Sequence, residues 1–419
     1  MTGFLKRKRG FVWLLGTLWG IMFVSAGEKA GEAGMKKSLC VWEAHAYEDD
    51  TLPHVPGTSY YGYQWGLKND GSIRRVTSAY QNRTIGSDQS GSQGLVTAAP
   101  QESSQQVVDS IAGVDIGIEG AWAVYEQTKE RRMVTVAIID TGVDTGHEEL
   151  GGSIWVNPGE IPGDGIDNDH NGYIDDINGW NFYSDNHQIF MGEEDDHGTH
   201  GAGTIAAAWD GQGVSGIADS SYVKIMVLKV LGSREGKGIS SSVRKAVRYA
   251  QDNGADICNI SMGSLSHDPE LERLIMDSPM LFVVSVGNGD AARHGYDIDE
   301  LPMYPACCKA DNMITVANLM FNGMLDESSN YGAVSVDLAA PGTYILGAVP
   351  EGYAFMTGTS MAAPMVAGTA ALIYSCRTDL DLMGVKEAII NTTRPMEGLT
   401  DKTATGGMLN AYSAITYKR

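Results

Sequence analysis

The sequence predicts an α/β protein in three layers, a mainly parallel central sheet covered on both faces by helices. Two observations carry that expectation. From Met133 onward the strand-length runs "VTVAIID", "VKIMVLKV", "DICNIS", "LFVVSV" and "MITVAN" are apolar almost throughout, the pattern of strands buried on both faces of a parallel sheet. Between them stand helical segments such as "SSVRKAVRYAQDNG", where Val243, Ala246, Val247 and Ala250 recur at helical spacing and Gly254 supplies the stop. Strands alternating with helices form βαβ units, which wind into an open sheet.

Taken in chain order, the first element is a leader. "KRKRG" (Lys6 to Gly10) precedes the apolar run Phe11 to Val24, and the small residues Ser25 and Ala26 follow; this is the layout of a secretory signal peptide over 1–26. The run is short of the ~20 residues a bilayer-spanning helix needs. The expectation is a secreted or cell-surface protein without stable membrane insertion after signal cleavage, an uncleaved anchor being the variant. Residues 27–62 make a short N-terminal segment, and 63–419 read as one domain. Within it 81–106, rich in Gly, Ser and Gln, reads as an exposed polar loop.

Lys plus Arg number 30 against 52 Asp plus Glu, a net charge of −22, which argues against nucleic acid or an anionic membrane surface as partner. Five cysteines are too few and odd in number for a disulfide framework. Cys258 in a strand-like run and Cys376 at the end of a helical one read as buried thiols. Cys40 stands alone, and the adjacent Cys307 and Cys308 have no zinc spacing.

Four short stretches carry chemistry. Asp140 closes "VTVAIID" at the carboxyl edge of a parallel strand, where α/β sites gather; an Asp there also simply starts turns, the reading for Asp144. In "DDHGTHGAG", His197 and His200 open a small-sided helix. Two histidines three apart could share a metal, but the zinc-peptidase pattern needs i and i+4 with a Glu between, and Gly198 and Thr199 stand there. A base at one position and a structural partner at the other fits better. Asn288 in "VGNGD" is a turn residue or an oxyanion donor. Ser360 in "TGTSMAAPMVAG" is a helix N-cap or a nucleophile. The run Glu193 to Asp196 reads as a solvated helix-start cluster.

Together and in this order, "AIIDTGVD", "HGTHGAG", "VVSVGNGD" and "GTSMAAPMVAG" resemble the subtilisin-like serine proteases, the subtilases of peptidase family S8. The resemblance runs from about Tyr63, through "YGYQWGLKNDG", to the end. It implies a subtilisin-like fold with Ser360 as nucleophile, His197 as general base, Asp140 as its orienting acid, and Asn288 with the Ser360 N–H as oxyanion hole. His200 would be structural. An extended protein or peptide substrate would lie as an added strand beside Ser261, Met262 and Gly263 and beside Gly236 and Gly238. Ser285, Val286 and Gly287 would line the pocket for the residue before the cut. Met303 at its floor favours apolar residues, whereas Asp297, Asp299 and Glu300 would favour basic ones; the expectation leans to apolar. Where relatives often carry "SMASPHVAG", this chain has Ala363 and Met365, which touches packing and not the triad.

The function implied is a secreted, monomeric serine endopeptidase working through an acyl-enzyme on Ser360. Its rivals are a catalytically silent relative that binds peptides and a metal hydrolase built on His197 and His200. An insertion over 157–180 contains "DGIDNDHNGYIDD", in which Asp167, Asp169 and Asn171, then Gly172 at the sharp turn, Tyr173 and Asp175 follow the spacing of an EF-hand calcium loop. The Glu expected at its last position is absent, so Asp176 or a more distant carboxylate completes the shell. Structural calcium is the expected cofactor, against the alternative of a solvated acidic turn.

Overall fold

The computed structural model describes residues 41–43, 47–53, 57–78, 105–232, 237–290 and 292–419, within a compact unit spanning 39–419. The leader at 1–26, Cys40, Gly236 and residues 79–104 lie outside the described residues. In chain order come β1 (Val41–Glu43), β2 (Tyr47–Pro53), β3 (Arg74–Ser78), β4 (Gln105–Asp109), α1 (Ile118–Gln127), β5 (Val134–Asp140), β6 (Gly179–Asn181) and α2 (Asp196–Ala206). Then follow β7 (Val223–Lys229), β8 (Leu231–Gly232), β9 (Lys237–Ile239), α3 (Ser240–Asp252), β10 (Ile257–Ile260), α4 (Pro269–Met276), β11 (Leu281–Ser285) and β12 (Met313–Leu319). The chain closes with β13 (Leu338–Pro341), β14 (Ile345–Val349), β15 (Gly352–Thr357), α5 (Thr359–Cys376), α6 (Leu382–Asn391), β16 (Arg394–Pro395), β17 (Gly407–Met408) and α7 (Ala411–Ile415).

The central sheet has nine strands in the order β16-β17-β13-β12-β11-β10-β5-β7-β6, parallel except at the β16–β17 edge. Side chains alternate between its faces. Val136 and Ile138 of β5 join the core under α1, α2, α5, α6 and α7, while Ala137 and Ile139 join the core under α3 and α4. Both faces are thus covered, as the apolar runs required, and the three layers are those of the subtilisin fold. After β5 the chain builds β7 on one side and β10 on the other. That reversal opens a crevice at the carboxyl ends of β5 and β10, where open α/β sheets place their sites.

Helix α5 is buried along its whole length except at Tyr374, which explains why it is apolar on every side. It meets α2 through small residues. A Cβ at Gly368 would lie 3.0 Å from Ile217 Cβ and 3.3 Å from Ile205 Cα, and one at Gly201 would lie 3.5 Å from Pro364 Cγ. The helix expected in "SSVRKAVRYAQDNG" forms as α3, and Gly254, at φ +73°, follows its end. Cys258 and Cys376 are free buried thiols.

Upstream, the structure moves two expected boundaries. Strand β1 pairs antiparallel with β9, and β2 pairs antiparallel with β15 from Pro53↔Gly352 to Tyr47↔Thr357, so the compact unit begins at 39 instead of 63. The polar loop also ends earlier than 106. Gln105 and Gln106 belong to β4, which pairs with β3.

Candidate active site

Asp140 ends β5, 2% exposed. Its Oδ1 accepts the Thr141 N–H at 2.6 Å and faces His197 Nδ1 at 2.7 Å, so Nδ1 carries the imidazole hydrogen. His197 is the second residue of α2, and its buried Nε2 has no hydrogen-bond partner among the described residues. Burial pulls the imidazole pKa down, but the charge and hydrogen bond of Asp140, aided by Asp196, more than offset it and the net displacement is upward. A basic, unengaged ring nitrogen is what a general base requires.

Ser360 stands in the first turn of α5. The N-cap role belongs to the extended Gly358, which overturns the capping reading of the serine. Its Oγ donates to the Ser261 carbonyl at 3.1 Å, and Ser261 Oγ donates back to the Ser360 carbonyl at 3.2 Å. Pro364 has no N–H to give that carbonyl four residues back, so the acceptor is left for Ser261. Asn288 follows β11. Its Oδ1 accepts both the N–H and the hydroxyl of Thr359, at 2.8 and 2.9 Å, which fixes the amide plane and leaves donation to Nδ2.

His200 has a different environment. It is fully buried, its Nε2 lies 2.9 Å from the Ile345 carbonyl, and burial pushes its pKa down to about 4. The neutral ring donates from Nε2 and packs where Gly347 leaves room, a Cβ there falling 2.6 Å from the imidazole. The two histidines thus serve different partners, and neither belongs to the metal-ligand cluster found among the described residues.

Ser261, Met262 and Gly263 follow β10, and Ser285 closes β11 with Val286 and Gly287 just beyond it. Met303 lies between these segments: a Cβ on Gly263 would sit 2.9 Å from its Sδ, and one on Gly287 3.3 Å from its Cε. The nearby carboxylates face elsewhere. Asp299 accepts the N–H groups of Val334 and Ser335, and Asp297 accepts that of Asp299. Gly238 is the centre of β9, paired with Leu231 on one edge and Trp42 on the other.

The run Glu193 to Asp196 stands at the start of α2 as expected, with Glu193 exposed, but one member of it is not solvated. Asp195 is fully buried, 2.5 Å from the ammonium of Lys229, itself 1% exposed. A lysine in an apolar strand gave no signal of its partner 34 residues upstream.

In the 157–180 insertion, Asp169 and Asp176 converge with Glu160, close enough for three carboxylates to hold one ion. Sequence spacing missed Glu160. It lies outside the EF-hand pattern, and its oxygens accept the N–H groups of Asn168, Asp169 and Asp175. Asn157 and Asn171 direct their amides at Asp169 and Asp176. Of the other expected ligands, Asp167 accepts the Asn171 and Gly172 N–H groups, Asp175 accepts those of Gly163 and Gly165, and Tyr173 packs its ring on Trp180, Phe182 and Tyr249. The carboxylates that converge are therefore those of Glu160, Asp169 and Asp176.

The model of the subtilase family matches residues 131–413, which hold Asp140, His197, Asn288 and Ser360. The chain belongs to the subtilase family. Its class is that of the serine-type endopeptidases. It is 32% identical over 289 residues to the major intracellular serine protease of Bacillus subtilis, covering 67% of this chain and 81% of that protein. It is 30% identical over 299 residues to thermitase of Thermoactinomyces vulgaris, covering 71% and 92%. It is 33% identical over 304 residues to subtilisin-like protease 1 of Plasmodium berghei, covering 67% of this chain but 49% of that longer protein. Among the described residues no helix is long and apolar enough to cross a membrane.

Proposed function

We propose that this subtilase is an exported endopeptidase that cuts protein substrates through an acyl-enzyme on Ser360. The observation that carries the reading is the 2.7 Å contact of His197 Nδ1 with Asp140, which leaves Nε2 as an unengaged base on the helix that packs against α5. In this reading Nε2 takes the Ser360 proton as Oγ attacks the peptide carbonyl, and Asp140 stabilises the imidazolium. Asn288 Nδ2 and the Ser360 N–H at the start of α5 receive the oxyanion, with the helix dipole favouring the charge. Export rests on the leader at 1–26; a relative named as intracellular makes its cleavage a separate point to test.

Substrate would pair along Ser261 to Gly263, held by backbone hydrogen bonds; the expected second edge at Gly238 is filled on both sides, by β8 and by β1. Gly263 and Gly287 would wall the pocket for the residue before the cut. Met303 fills its base and the carboxylates of Asp297 and Asp299 are taken by backbone N–H groups, which supports small apolar side chains there. Calcium would be held by Glu160, Asp169 and Asp176. Three converging carboxylates whose neighbours are neutral amides and N–H groups suit a hard dication, and its part would be to fix the insertion, not to react.

The deciding experiment is Ser360→Ala assayed beside wild type on a peptide library and with a fluorophosphonate. Loss of both turnover and labelling in a folded variant is expected. Labelling absent from wild type would favour the silent relative, and turnover by the alanine variant would remove the acyl-enzyme.

A further inference from the structure

Strand β7 ends in a lysine that the proposed chemistry does not use. Lys229 stands directly beside Asp140 in the β5–β7 ladder, and the next N–H, that of Val230, donates to the Asp140 carbonyl at 2.9 Å. A buried ammonium needs acceptors for all three of its N–H groups. Lys229 has them in the Thr141 carbonyl, Asp195 Oδ1 at 2.5 Å and Glu194 Oε1 at 3.3 Å.

Those acceptors lie on two loops that carry the acid and the base. Thr141 starts the turn after Asp140; its N–H binds Asp140 Oδ1, and its Oγ1 accepts the Gly198 N–H at 3.1 Å. Asp195 directly precedes α2. Its carbonyl accepts the Thr199 hydroxyl at 2.6 Å, and Thr199 Oγ1 accepts the Asp144 N–H at 2.9 Å. Glycines let the loops touch: a Cβ on Gly142 would fall 2.6 Å from Asp195 Oδ1, and one on Gly198 2.1 Å from the Gly142 carbonyl oxygen. The ammonium sits at the join.

We propose that Lys229 is a positioning residue of the reaction: by binding the Thr141 carbonyl and the Asp195 carboxylate together, it sets the placement of Asp140 against His197. The inference rests on the triad reading above. Lys229 touches neither substrate nor reacting atoms and acts through the two loops.

The test uses the full chain with Lys229→Met and with Lys229→Met/Asp195→Leu, the second removing the buried carboxylate that the first leaves unpaired. The double variant should melt near wild type while its kcat falls by about 100-fold, the penalty of a roughly 1 Å misplacement, with KM within about threefold. In an Asp140→Asn background, adding Lys229→Met should cost far less than in wild type, because both act on one contact. A folded double variant with wild-type kcat, a loss confined to KM, or a full penalty on top of Asp140→Asn overturns the proposal. The two readings fail separately. Turnover by Ser360→Ala removes the triad, whereas Ser360-dependent turnover indifferent to Lys229 removes this inference alone.

Discussion

The crossing of α2 and α5 and the acidic insertion at 157–180 are both crowded with polar groups, but they are held by opposite means. At the crossing the partners lie inside the chain: the His197 ring against the Asp140 carboxylate, and the Lys229 ammonium against Asp195 and Glu194. Glycines set the separations there. In the insertion, Glu160, Asp169 and Asp176 converge, and among the described residues none of them has a lysine, arginine or histidine within ion-pair distance. The neighbours they do have, amides, N–H groups and the Tyr249 hydroxyl, leave the negative charge uncompensated. One region is complete as folded, and in the other the proposed calcium would supply the balance. Chemistry and stability should therefore respond to different perturbations.

The sharpest break is Asp140→Asn, expected to lower kcat by about 10⁴-fold with little change in Tm. Asp140 raises the His197 pKa against the downward pull of burial. The base is protonated, hence idle, below that pKa, so the acid limb of kcat/KM should lie above the ordinary imidazole value and move to lower pH in the variant. Kinetics across pH check both statements. Next in size, Asn288→Gly should cut kcat by about 100-fold or more at nearly constant KM, a magnitude known from subtilisin, a member of the same family. An equal loss through KM would contradict an oxyanion role. Chelation should leave the triad contact intact but lower Tm, since an ion at 100 times its Kd adds about 2.7 kcal/mol; Asp169→Ala should abolish that response in a calcium titration followed by melting. The smallest effects separate two uses of glycine. Gly198→Ala meets a backbone oxygen at 2.1 Å and should cost about 1–3 kcal/mol by overpacking. Gly172→Ala has open space but a φ of +94° and should cost about 1 kcal/mol by strain alone. Denaturant melts of the two variants would rank them.

The sheet and the four motif residues were legible because each lies where local pattern and fold agree: apolar runs ending in Asp140 or running on to Asn288, and small-residue helices opening at His197 and Ser360. What escaped was set by distant partners. Strand β2 reads "YEDDTLP", with two aspartates and a proline, a poor strand by propensity that forms because β15 offers an edge. Glu160 precedes the loop whose spacing drew attention. Asp195 looked solvated because nothing local marks Lys229 as its counter-ion.

Strand β9 has two edges, and the described residues fill both, one with β8 and the other with β1. A peptide that would pair there meets an occupant belonging to the same molecule, three residues from β2, which is anchored on β15. A ligand on so short a tether acts at an effective concentration on the order of millimolar. If substrate pairs at β9, the expected kinetic signature is that of a competitive inhibitor that dilution cannot remove. Release of β1 would lower the apparent KM and leave kcat as it was, and added peptides weaker than the tether would compete poorly until then.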